Sequence, residues 1–334
     1  MNQKVQKLIS TLGQSRVTLA EPLLKYSSFH LGGPAEFFYR AKTIDELMTA
    51  INTANIFKIP YFILGGGTNL LISDFGFAGL VIKNDTSEIN LLGIKGKTYG
   101  KGNAEISQQT VYLQVESGVS VNRLVRFTLD QGFAGLQFFL GQPGTVGGAT
   151  YINAHNMKKG QFFGDTIVEA KILKATSRIE KVSSKYFCFG YDKSILQNTH
   201  ETLLSVVIQL ERKVNIDLWK EAQEALEYRQ ETQPTGFFSS GCTFRNISKS
   251  QAMNLATPNY TTSAGYLIER VGLKGTKIGG AMFSKNHANF IVHKGEAKSS
   301  DVLELIKLAK EKVKNKFNIN LEEEIILVGE FKYG

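Results

Sequence analysis

A mixed α and β protein of two or three domains is predicted by three observations. The chain has 334 residues, more than one ordinary domain holds. Segments of helical periodicity alternate with short apolar runs bounded by glycine, proline and small polar residues. Near Glu211 the character shifts, and a strand-rich stretch gives way to a helix rich in Glu, Ala and Leu over 217–229. With 42% hydrophobic and 21% charged residues, the composition is that of a soluble globular protein.

The first twenty residues alternate polar and apolar, carry Lys4, Lys7 and Arg16, and lack the apolar core of a signal peptide. No apolar run approaches the roughly 18 residues of a membrane span. A cytoplasmic protein with reduced thiols is expected, so Cys188 and Cys242 need no disulfide. Thr43 and Glu46 then make a capping box for a helix over 43–57, with Ile44, Leu47, Met48 and Ile51 on one face. Pro60 forbids further helix. An apolar strand runs through Leu64 into Gly65, Gly66 and Gly67, followed by Thr68, Asn69 and a second apolar run, Leu70 to Ile72. Three glycines admit positive φ and close backbone approach. Successive N–H groups in such a turn make an anion nest, so this stretch is a candidate seat for a diphosphate. It is not the dinucleotide fingerprint, because Leu70 to Ile72 reads as strand where that motif opens a helix.

Beyond Gly79 come short strands at 80–82, 89–94 and 111–115, with a polar, mobile surface excursion expected over 95–109. Ser120 caps a helix carrying Leu124, Val125, Phe127 and Leu129, with Gly132 past its end. A second glycine cluster follows, from Gly141 through Pro143, Gly144, Thr145, Gly147, Gly148 and Ala149 to Asn153 and Ala154. Strands over 166–173 and 203–210 flank Phe187 to Ser194. After the boundary near Glu211, Thr262 caps a short helix and Ser299 or Ser300 starts the last one. A final strand over 320–328 puts Glu324 on the face of Ile326 and Val328, either as a functional buried carboxylate or as one more solvated charge beside Glu322 and Glu323.

Lys and Arg exceed Asp and Glu by nine. The lysines are spread along the chain and no basic block is interleaved with aromatics, so a basic enzyme with anionic ligands, or simply a soluble basic surface, is expected rather than nucleic acid. Five histidines and two distant cysteines give no metal-ligand spacing.

Nine blocks in order carry a resemblance. They are 28–35, Ile63 to Leu71, Gly141 to Ala149, Arg229 with Gln233 and Pro234, Ser240 to Asn246, Ala264 to Ile268, Gly272 to Gly275, Ser284 to Phe290 and Leu321 to Ile325. Together they resemble the UDP-N-acetylenolpyruvoylglucosamine reductase (MurB) family of peptidoglycan precursor synthesis, over about residues 25–329. The resemblance implies an α+β fold of three domains. Residues 1–78, joined by 320–334, and residues 79–211 would form a non-covalent FAD module of the PCMH/VAO type, and 212–319 would bind substrate. NADPH would reduce the flavin, and the enolpyruvyl sugar nucleotide would take the hydride. A cytoplasmic monomer or weak dimer is expected, with no membrane or nucleic-acid partner.

The same resemblance assigns residues. Leu64, Gly65, Gly66, Gly67, Thr68, Asn69 and Leu70, with Gly141, Pro143, Gly144, Thr145, Gly147, Gly148 and Ala149, would hold FAD. Cys242 would deliver the proton and Glu324 would serve as the catalytic glutamate, while Tyr191, Arg245, Asn246, Lys285 and Asn289 would meet substrate. One departure stands out: the family has Tyr-Arg-x-Ser where this chain has Tyr191, Asp192, Lys193 and Ser194. An aspartate cannot imitate a guanidinium fork, so either Lys193 substitutes as a point charge, or Asp192 turns away and another arginine fills in, or the chain binds flavin with impaired catalysis. An FAD-dependent oxidase of the same fold is the alternative activity.

Overall fold

A computed structural model describes residues 3–99, 106–199, 201–213 and 216–331. The first helix expected from sequence runs over Ile44–Phe57, with the Thr43 side chain accepting the Glu46 N–H. The Glu46 carboxylate in turn accepts the Lys42 N–H at 2.8 Å, so the reciprocal arm of the capping box lands one residue early. A four-stranded sheet takes the order Val17–Pro22, Pro34–Ala41, Phe77–Asn84, Tyr61–Leu64.

Contacts divide the chain into two units. The first comprises Met1–Val17, Tyr39–Gly66 and Ile82–Arg229; the second comprises Thr18–Phe38, Gly67–Val81 and Gln230–Gly334. The expected boundary near Glu211 falls inside the first unit. The reason is the helix Leu218–Thr232, whose Leu218 and Ala222 are buried in that unit's core.

The first unit is built on an antiparallel sheet in the order Ile179–Ser183, Ile167–Leu173, Thr202–Arg212, Ile106–Glu116, Ile89–Tyr99, with Phe133–Ala134 also pairing Thr202–Arg212. Val206, Ile208 and Leu210 stand opposite Val115, Leu113 and Val111, and all six side chains are buried. Alternation thus gives one apolar face. The helix Val121–Asp130 joins this core through Leu124, Val125 and Leu129, and starts where the Ser120 hydroxyl accepts the Arg123 N–H. Each fully buried aliphatic side chain contributes about 1.5–3 kcal/mol, so this layer is a firm base for the loops it carries.

Two expectations are corrected here. The stretch over 95–109 is not simply an excursion: the ladder continues from Lys95 opposite Thr110 to Tyr99 opposite Ile106, and the rest of that stretch lies outside the described residues. The first twenty residues contain a helix, Gln3–Leu12, that buries Leu8, Ile9 and Leu12; these fall at helical spacing.

In the second unit, Ile326–Val328 pairs in parallel with Leu70–Ile72. A three-stranded sheet of Lys277–Ile278, Ala281–Phe283 and Ile291–Val292 shares its core with the helices Ala264–Arg270 and Ser299–Phe317. The long helix buries Val302, Leu305, Ile306, Ala309 and Val313 as its periodicity requires. Its N-terminus is held by the Asp74 carboxylate, which accepts the N–H groups of Ser299 and Ser300 at 2.8 and 3.0 Å. Ser263, not Thr262, caps the shorter helix. The final strand is only three residues long, and Glu324 precedes it, so strand alternation does not decide its environment. Among the described residues no helix is long and apolar enough to cross a membrane.

Candidate active site

The two glycine loops meet in the first unit. A Cβ on Gly66 would lie 2.7 Å from the Gly144 Cα, and one on Gly65 would lie 2.7 Å from Thr145 Oγ1. Backbone faces backbone at this point, and any larger residue would part the loops. Thr145 caps the short helix Val146–Tyr151 by accepting the Gly148 N–H. The Gly147 N–H is tied to the Ser117 carbonyl at 2.7 Å, and the Gly141 N–H to Asn122 Oδ1 at 2.7 Å. Gly66, Pro143 and Gly148 are exposed. Around Gly148 a Cβ would meet only Thr145 Oγ1, at 3.6 Å. The result is a backbone-lined cradle whose nearest side chain is Thr145, which fits a cofactor lying along it. Leu64, Leu70 and Ala149 are buried.

Gly67, Thr68 and Asn69 belong to the second unit. Gly67 has φ +64°, and a Cβ there would collide with the Tyr26 carbonyl, so only glycine is admitted. The Asn69 amide donates to the Glu324 carbonyl at 3.0 Å, and its own carbonyl accepts the Ile326 N–H at 2.9 Å. The Asn69 side chain, expected as a cofactor donor, therefore braces the residue before the final strand.

The block around Cys242 is laced to the same segment. The Glu324 N–H donates to the Thr243 carbonyl at 2.8 Å, the Arg245 N–H to the Glu322 carbonyl at 2.9 Å, and Phe244 bridges Glu323. Cys242 itself pairs antiparallel with Phe290. Cys242 and Glu324 are both half-buried, and their segments are adjacent strands-in-miniature. The carboxylate of Glu323 takes Lys310 at 2.8 Å and Glu322 is exposed, whereas Glu324 is half-buried. Buried Asn289 spends its amide on Phe244, accepting the N–H at 3.0 Å and donating to the carbonyl at 2.7 Å. It is a brace for the block rather than a ready substrate contact. Asn246 accepts the Ala264 N–H at 3.1 Å, Arg245 reaches Glu322 at 3.8 Å, and Lys285 is exposed.

Tyr191 and Asp192 form the tip of a tight turn closed by Gly190 and Lys193, whose backbones exchange hydrogen bonds at 3.0 and 3.4 Å. Asp192 has φ +50°, which aspartate tolerates better than most residues. Asn153 and Ser194 fasten the turn to the end of the glycine-loop helix, donating to the Gly190 and Tyr151 carbonyls at 2.9 and 2.7 Å. Lys193 is exposed while Asp192 is turned inward and 2% exposed, with His155 Nδ1 3.3 Å from its Oδ1. His155 was not among the expected site residues. It sits on a two-residue strand, and no spacing signals it.

Known proteins place these features in a class. A family model described as an FAD binding domain matches residues 35–183. A VAO-type flavoprotein from Myceliophthora thermophila, 9% identical with a TM-score of 0.53 over 94% of this chain and 85% of its own, shares the fold. The chain therefore has the fold of the FAD-binding VAO-type flavoproteins. A second model, the UDP-N-acetylenolpyruvoylglucosamine reductase C-terminal domain, matches residues 233–328. UDP-N-acetylenolpyruvoylglucosamine reductase 1 of Bacillus cereus is 33% identical, covering 98% of this chain and 100% of its own length. The reductase of Caldanaerobacter subterraneus is 35% identical over 98% of each. The crystal structure of the Thermus caldophilus reductase aligns with a TM-score of 0.70 at 28% identity, covering 93% of this chain and 98% of that one. The chain belongs to the UDP-N-acetylenolpyruvoylglucosamine reductase family.

Proposed function

We infer that this chain is the FAD-dependent reductase that converts UDP-N-acetylglucosamine enolpyruvate to UDP-N-acetylmuramate in the cytoplasm, using NADPH. Full-length kinship at 33–35% identity supports the reaction. The observation that carries the site assignment is the lacing of the Cys242 block to Glu324 through the Thr243 carbonyl.

FAD, held at the cradle of Gly65, Gly66, Gly144, Thr145 and Gly148, would supply hydride to the substrate's terminal carbon. The protein's own task is then to give a proton to the neighbouring carbon and to hold the carboxylate as charge builds on it. A thiol, with an ordinary pKa of about 8.5, carries its proton at neutral pH, and the Cys242 thiol would donate it. The Glu324 carboxyl, fixed through its backbone to Thr243 and Asn69, assists the growing negative charge when it is itself protonated. Asn289 and Asn69 keep these two segments in place. The purified protein should be yellow, be bleached by NADPH and be reoxidised by the enolpyruvyl sugar nucleotide without oxygen. Bleaching that persists after that substrate is added would sink the assignment.

A further inference from the structure

Asp192 is an anomaly that the reaction as described does not use. Its carboxylate is 2% exposed, and neither oxygen accepts a hydrogen bond among the described residues. An ionised carboxylate in that position is costly unless a cation faces it. The group that does is His155, with Nδ1 3.3 Å from Oδ1, and Nδ1 likewise makes no hydrogen bond among the described residues. The two atoms therefore answer each other when Nδ1 carries a proton. The contact engages Nδ1 and leaves Nε2 outside it. The ring is oriented as well. Tyr191 lies at 4.8 Å and Phe162 at 5.6 Å between centroids, and the strand pairing sets Phe162 opposite His155.

We propose that His155, oriented by Asp192, is the cation that recognises the enolpyruvyl carboxylate of the substrate, with Asp192 as its positioning residue. The proposal rests on the function inferred above. Its placement fits: His155 follows directly on Asn153 and Ala154 at the end of the helix that starts in the glycine cradle. Asn153 is itself buried, accepting the Gly164 N–H at 3.0 Å and donating to the Gly190 carbonyl, so the cradle and the Tyr191–Asp192 turn are locked to each other. The remaining charged groups on elements next to His155 are turned elsewhere. Asp165 accepts the Phe162 N–H, Lys159 lies over Phe138 and Lys158 over Tyr228, and Lys193 is exposed. A protonated imidazole backed by a carboxylate offers one strong, directional donor.

The test is binding to the FAD-loaded protein, followed by the change in flavin absorbance. It compares the enolpyruvyl ligand with UDP-N-acetylglucosamine, which lacks the carboxylate. Losing one hydrogen bond to a charged group corresponds to about tenfold to hundredfold in affinity. His155→Gln should weaken the enolpyruvyl ligand by that factor and leave the plain sugar nucleotide within about twofold, which is inside the scatter of such measurements. Asp192→Asn should also weaken the enolpyruvyl ligand selectively, and His155→Lys, which keeps a cation, should retain part of the discrimination between the two ligands. Equal weakening of both ligands by His155→Gln, or of neither, would overturn the proposal while leaving the reductase assignment standing. If wild-type protein is not reoxidised by the enolpyruvyl substrate at all, it is the reductase assignment that fails. Should the variants not fold, the imidazole nitrogen resonances of His155 in the wild-type holoprotein decide. A shift with the enolpyruvyl ligand and none with the plain sugar nucleotide supports the role, and identical spectra refute it.

Discussion

Gly148→Ala separates what the glycine cradle does for the fold from what it does for a ligand. Gly148 is exposed in the helix Val146–Tyr151, and a Cβ there meets nothing closer than Thr145 Oγ1 at 3.6 Å, an ordinary contact. Within the protein alone the change is favourable, since alanine in a helix interior is better than glycine by about 0.5–1 kcal/mol. The apoprotein should therefore melt at the same temperature or slightly higher. If FAD lies along this backbone, the added methyl presses on the cofactor instead. Forcing a methyl into a packed contact costs about 1–3 kcal/mol, which weakens FAD binding by about fivefold to 150-fold. Titration of deflavinated protein with FAD, paired with melting of the apo and holo forms, reads both numbers. The contrast is Gly66→Ala, whose Cβ would sit 2.7 Å from the Gly144 Cα. There both walls are backbone, so the loops must part, and apo stability and flavin affinity should fall together. Gly148→Ala protein that binds FAD as wild type does would refute the cradle.

Cys242→Ser should retain much of the flavin reoxidation by substrate, and Cys242→Ala should lose it by about 10²–10⁴-fold, the usual worth of a positioned acid; rapid-mixing kinetics should show NADPH bleaching both at the wild-type rate. Asn289→Ala strands the buried Phe244 N–H and carbonyl, so denaturant unfolding should show a loss of about 2–5 kcal/mol, with Asn289→Asp recovering only the acceptor half. His293 has its pKa lowered, with burial the largest cause, while its Nδ1 accepts the Gly295 N–H at 3.0 Å. The unfolded chain therefore takes up the proton first. This contribution is fully present above the ordinary histidine value of about 6.5 and is lost as pH falls below it. Melting between pH 7 and 5.5 should show that decline, and His293→Gln should flatten it.

Features carried by local sequence were legible. The Thr43 and Ser120 caps, the stripe of Ser299–Phe317 and the strand Leu70–Ile72 each follow from residues a few positions apart. The glycine loops were legible as ligand-binding candidates, but their apposition was not, because nothing in 65–66 names 144–145 as its partner. The strand drawn through Glu324 failed for a related reason. Its neighbour on the Cys242 side is set by a bond between Glu324 and Thr243, 81 positions apart in the numbering, which no local alternation encodes. Asp192 shows the same limit most clearly. Read along the chain, it is a charge of the wrong sign. In space it is a buried carboxylate facing an imidazole 37 residues earlier. A carboxylate with nothing to face it would be expected at the surface, where it stays hydrated. On the proposal above, the cation is the imidazole that Asp192 faces at 3.3 Å, a residue that no spacing in the sequence singles out.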